Sequence, residues 1–299
     1  MTDTVDAHFI KDYADDVHLS FQNQGSLLLP AVRHKSNVIG ESTTFHKMAK
    51  GTAQTKARNA DIVPMNASGA GVEVSISDFY AGDYVDVLDE IKTNADERMA
   101  LADTGAMALG RKVDDQIATA LDATTETTVS WTVSSQAAIR NALITMCKAL
   151  DANSVPNRIG QRYGALTPTA WAMACTVDEF NNADRVGPNG LPLTTGAPNG
   201  DVWRSWNGVL WKVHSELPGV GTATAKVFVW HKMAVGYASG FPKGKSAVRG
   251  ASPVVAEINY VPTKVAYLVN QYMAGGAGII DTTGVIEGNL DDTAALPTS

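Results

Sequence analysis

Apolar residues recur along this chain with a period of four in some stretches and two in others, and the changes of period divide it. Phe9, Tyr13, Val17 and Phe21 recur every fourth residue with Asp12, Asp15 and Asp16 between them, the single narrow apolar stripe of a helix that Gly25 ends. Ser26–Pro30 then reads as extended, because proline restricts the residue before it. Such an arm needs a surface to lie on, and another subunit is one candidate. From Val38 to Val87 the pattern shortens to alternating pieces, clearest where Val72, Val74 and Ile76 share one face. Lys47 to Asp61 carries Lys47, Lys50, Lys56 and Arg58 but few large apolar residues, which suits a projecting hairpin better than a packed domain.

Asn94 to Ala123 carries the strongest helical signal, with Leu109, Val113, Ile117 and Leu121 stepping by four. At about 1.5 Å per residue it would extend on the order of 40 Å, enough for a spine across a flat subunit. Gly105 and Gly110 are the places where it can bend. Two shorter helices follow: Gln136 to Leu150, and Pro168 to Phe180 with Thr167 as N-cap. Between them Tyr163–Leu166 reads as a buried strand. The turn signals Gly187–Gly190 and Ala197–Gly200, with Asn189 and Asn199 within them, mark a functional loop or a hairpin at a contact point. The remainder is β-rich, with strands expected at 208–213, 225–230, 254–258 and 264–269, and a fraying polar tail at 291–299.

Composition narrows the function. The chain has 299 residues, 44% hydrophobic and 18% charged, with a net charge of −7 from 24 basic and 31 acidic residues. That balance argues against coating nucleic acid by counterion release, whereas mild acidity suits a lining that DNA does not stick to. The acidic start, Met1–Asp6, is unlike a secretory signal, and synthesis in the cytoplasm is expected. Val265–Ile280 is interrupted by Asn270, Gln271 and three glycines, poor material for a membrane span.

Candidate chemistry is sparse. Gly240–Ser246 ends in Gly-Lys-Ser, yet it is one residue short of a phosphate loop and Pro242 removes an inward amide. Gly275–Gly278 lacks the third glycine and the helix of a dinucleotide fingerprint. His8, His18, His34, His46, His214 and His231 show no metal spacing, and Cys147 and Cys175 read as packed thiols. Asp96, Glu97, Asp114 and Asp115 read as solvated or ion-paired positions of the long helix. No catalytic residue, cofactor or metal is expected.

The order of arm, basic hairpin, long helix, α/β region with a Gly/Pro loop, and closing strands resembles the subunit of tailed-phage capsids, the Hong Kong phage fold. Gln22–Leu29, Asp96–Arg98 through Gly110–Asp115, Trp230–Gly236 and Gly278–Val285 resemble segments of that family. The resemblance implies an α+β capsid fold: N-terminal arm 1–37, extended loop 38–87, peripheral domain 88–133 and 239–290 with its spine helix, axial domain 134–238 and flexible tail 291–299. It implies a major capsid protein that builds pentamers and hexamers of an icosahedral or prolate virion head around double-stranded DNA, without reading its sequence and without a membrane. Phe9, Tyr13, Phe21, Lys47, Lys50, Lys56, Arg58, Asn189 and Asn199 are the expected inter-subunit contacts. No long charged helical extension precedes the arm, so a separate scaffolding protein is expected, together with a portal and a decoration protein. The rival readings are an encapsulin-type compartment, a gene-transfer-agent capsid and, from another class, an enzyme whose site is assembled from dispersed residues.

Overall fold

The computed structural model describes residues 25–90, 97–158, 160–177, 203–240 and 254–296. Its longest element follows the strongest periodic signal: after the short helix α1 (Val87–Glu90), helix α2 runs over Glu97–Asp122. Val113, Ile117 and Leu121 are completely buried and Leu109 nearly so. Gly110 marks a close approach, because a Cβ there would lie 2.7 Å from the backbone of Gly25.

Two compact units share the described residues, the first drawing on 25–26, 78–111 and 254–274, the second on 27–77, 112–240 and 275–296. In the first, β11 (Val255–Val261) pairs antiparallel with the first half of β12 (Ala266–Ile279), and β4 (Ser77–Asp86) also pairs with β12. Aromatic rings knit it together. Tyr260 and Tyr267 meet at 5.4 Å, the Arg98 guanidinium sits 4.6 Å from the Tyr267 ring, and Lys264 lies 3.7 Å from the Tyr84 ring.

The second unit holds a six-stranded sheet in the order β5 (Val129–Ser130), β13 (Val285–Leu290), β9 (Ala225–His231), β6 (Arg162–Leu166), β8 (Val209–Val213), β7 (Arg204–Trp206). Strand β6 is buried at all five positions, as a strand covered on both faces must be. Helices α3 (Gln136–Ala152) and α4 (Pro168–Cys175) start where the capping residues direct: the Ser135 hydroxyl accepts from Ala138 N and the Thr167 hydroxyl from Ala170 N. Their apolar faces meet the sheet in one core, with Ile139, Leu143 and Met146 of α3, Met173 of α4, and Trp211, Val227, Val229 and Ile286 of the strands. The same unit carries β1 (Arg33–Lys35), parallel to β10 (Val235–Gly240), and the antiparallel hairpin of β2 (Ser42–Met48) with β3 (Gly69–Ser75).

Two expectations are corrected. Ser26–Pro30 does not run extended: Leu29–Ala31 is a 3-10 turn, and Leu28, Ala31 and Val32 are buried in the subunit's own fold. Burial outweighs the pre-proline bias here, and Trp230 Nε1 fixes the turn by donating to Ala31 O at 2.9 Å. The strand expected at 264–269 instead continues to Ile279 straight through the glycines. A Cβ on Gly276 would lie 2.0 Å from Ser75 O, so the glycine permits close packing where the sequence alone suggests a break.

Candidate assembly surfaces

Strands β2 and β3 hold seven residues each in register, from Ser42 opposite Ser75 to Met48 opposite Gly69. Alternation gives them one buried face: Thr43, Phe45 and Val74 point inward, and Phe45 and Val74 pack with Ala238 and Ile280 in a second small core. Beyond Met48 the ladder stops after Ala49 N donates to Ser68 O at 2.8 Å. Every residue from Met48 to Asn66 is exposed. Four of them are large and apolar: Met48, Ile62, Val63 and Met65 are 69%, 78%, 62% and 56% exposed. Lys56 and Arg58 lie at the far end, around the turn closed by Ala60 N donating to Ala57 O.

The titratable groups elsewhere in the second unit serve as structural bonds. Asp114 is 1% exposed, and its carboxylate accepts from Leu27 N at 2.9 Å, Leu28 N at 3.0 Å and the His214 ring at 3.1 Å. His214 Nδ1 accepts from Glu216 N, which places the ring proton on Nε2, aimed at Asp114. Arg162, fully buried, donates to Asp151 Oδ1 and to the carbonyls of Val155 and Pro156. Burial pushes the Cys147 thiol up to about 11, and it also raises Cys175, so neither is a ready nucleophile. Among the described residues no three His, Cys, Asp or Glu side chains gather as a metal site, and no helix is long and apolar enough to cross a membrane.

A family model for phage capsid proteins matches residues 5–292. The chain belongs to that family. It is a major capsid protein, a structural subunit of the head shell in the virion. Solved capsids share its fold over nearly the whole chain. The capsid of Cyanophage P-SCSP1u is 16% identical with a TM-score of 0.71, over 95% of this chain and 94% of that one. For the capsid of Ralstonia phage GP4 the values are 12% and 0.72, over 100% and 99%. For the capsid of the native GTA particle they are 11% and 0.67, over 97% and 99%. No curated protein matches the chain.

In the capsid protein the expected contact residues fall into three groups. Phe9, Tyr13, Phe21, Asn189 and Asn199 lie outside the described residues, as does most of Gly240–Ser246. Lys47 and Lys50 are engaged within the subunit, by Asp281 at 2.7 Å and by Asn153 O at 3.1 Å. Lys56 and Arg58 stand exposed on the loop. Sequence reasoning stopped at Asp61 and passed over Ile62, Val63 and Met65, although three large apolar residues within four positions of a loop otherwise made of small and polar residues were the available signal. It also passed over Asp114 as a buried group. The signal there was Gly110 and Ala118, small residues one turn to either side and both buried, which continue the inward face through the acid.

Proposed function

We propose that the capsid protein joins pentamers and hexamers of an icosahedral or prolate head through its extended loop, with residues 52–64 docking on a neighbouring copy. The observation that carries this is the run of exposed residues from Met48 to Asn66, in which Ile62 and Val63 are 78% and 62% exposed. Burying such a side chain stabilises by about 1.5–3 kcal/mol, so one loop offers a contact of modest strength that many copies multiply. Lys56 and Arg58 would orient the loop on acidic positions of the neighbour, for which the exposed Asp83 and Asp86 are suited. In this reading 1–37 is the arm, 38–87 the extended loop, 88–133 and 239–290 the peripheral domain, 134–238 the axial domain and 291–299 the tail. The chain carries out no catalytic step and takes no cofactor. The net charge of −7 suits a shell that encloses DNA without gripping it. Its further partners are a scaffolding protein, a portal and a decoration protein, each testable by co-expression.

A pair of loop variants tests the docking. Ile62→Asp with Val63→Asp, and Lys56→Glu with Arg58→Glu, are expected to keep the wild-type circular dichroism and melting temperature while the yield of shells falls severalfold. Protease is expected to cut between residues 52 and 64 quickly in the free subunit and slowly in the shell, because the loop gains its apolar partners only there. Wild-type shell yield from both variants, with equal cleavage before and after assembly, would refute the docking role. A gene-transfer particle is the second reading, supported by the GTA capsid fold. Sequencing the enclosed DNA separates the two, since random host fragments favour the second and one repeated genome the first.

A further inference from the structure

We infer that the root of the extended loop is locked to its own subunit by a ring of bonds, and that Asp281, Asn153 and Met65 are positioning residues that aim the exposed tip. The inference rests on the loop reading above. Alternation along β2 places Lys47 on the inward side with Thr43 and Phe45, and its Nζ meets Asp281 Oδ1 at 2.7 Å. Asp281 is itself held, as N-cap of the 3-10 turn Thr282–Gly284, by Thr283 N at 3.3 Å and Thr283 Oγ1 at 2.8 Å. Three residues beyond Lys47, Lys50 Nζ donates to the carbonyl of Asn153, the residue that caps the end of α3. Asn153 Nδ2 donates in turn to Thr283 O at 2.9 Å and to Glu126 Oε2 at 3.3 Å. The two anchor points are therefore tied to each other, and the sequence Lys47, Asp281, Thr283, Asn153, Lys50 closes on itself.

Lys50, Asn153, Asp281 and Thr283 of this ring line a cavity of about 260 Å³ whose wall also includes His231 and Met233. Above it the two limbs of the loop are clasped once more, where Met65 crosses so close to Gly51 that a Cβ on the glycine would lie 2.1 Å from its sulfur. Partial burial alone would raise the Asp281 pKa, yet the bonds from Lys47 and Thr283 outweigh it and hold the carboxyl below its ordinary range. The anion is the form the ring requires. Beyond the clasp, residues 52–64 carry only the turn at Ala57–Ala60, so the loop divides into a fixed root and a free tip. A tip on a fixed root meets its neighbour in a restricted set of directions, which lowers the ordering entropy lost on docking.

Asp281→Asn removes the charge but keeps an oxygen for the 3-10 cap. In the unassembled subunit, amide exchange of Met48, Ala49, Gly69 and Ala70 is expected to quicken by about two- to fivefold, the range of a partly exposed ion pair. Raising salt toward about 0.5 M should speed exchange in the wild type but hardly in the variant, since only the wild type has an ion pair to screen. Lys47→Arg alone keeps a cation opposite Asp281 and should retain slow exchange, and Lys56→Met at the tip should leave it alone. Asp281→Asn is also expected to form shells more slowly. Unchanged exchange at every salt concentration would overturn the lock, and altered exchange with a wild-type assembly rate would overturn the aiming role. Because exchange is read on free subunits, failure of the lock is distinct from failure of the docking reading.

Discussion

Replacing Ile117 with Asp is expected to leave the capsid protein unfolded or insoluble. The side chain is completely buried, as are Val113 and Leu121 one turn to either side. The change forfeits about 1.5–3 kcal/mol of apolar burial and adds the cost of a carboxylate without a partner, commonly several kcal/mol more. Against a total stability of roughly 5–15 kcal/mol, the sum removes most of what holds a domain folded. Asp115→Asn, two residues earlier, is the control: Asp115 is exposed and pairs only along the helix surface with Lys112, so a change within about 0.5 kcal/mol is expected. Soluble expression and urea melts of the two variants check both. A soluble Ile117→Asp protein with a normal melt would mean that this face of α2 is open to solvent.

Asp114→Ala is expected to cost nearly as much by a different route. The carboxylate joins segments that are far apart in sequence, accepting from Leu27 N, Leu28 N and His214. Alanine leaves those donors buried without an acceptor, at about 1–3 kcal/mol each and not strictly additive. Because two of the three donors belong to the chain just past Gly25, the loss should fall first on the segment that leads into the 3-10 turn Leu29–Ala31. Urea melts should show a drop of several kcal/mol, and exchange of the Leu27 and Leu28 amides should rise further than that of the α3 core. Asparagine offers one oxygen and turns an amide toward the remaining donors, so Asp114→Asn should lie between wild type and alanine. A melt within about 0.5 kcal/mol of wild type would show that water or the protein re-satisfies these groups, which a site 1% exposed does not favour.

Much of the architecture was legible because it is local. Four-residue steps announced α2 and α3, Ser135 and Thr167 marked helix starts, and compact runs such as Tyr163–Leu166 and Ala225–Trp230 announced central strands. Tertiary contacts set the rest. Gly275–Gly278 looks like a break until Tyr237, Ser75 and Val74 are seen to fill the space that side chains would take. Leu29 before Pro30 looks extended until Leu28 and Ala31 are buried beneath it. Of the candidate assembly surface, the exposed hairpin was legible from composition. The split of its lysines was not: the parity that turns Lys47 inward is present in Thr43, Phe45, Lys47, but its partner Asp281 is more than two hundred residues away and no local signal names it.

Copies of this chain are the subunits of the head shell. Electron microscopy of the purified protein, across salt and protein concentration and with scaffolding protein co-expressed, tests it most directly. Closed hollow particles, or pentameric and hexameric capsomers on the way to them, are the expected result. A monomer or dimer under every one of those conditions would contradict it.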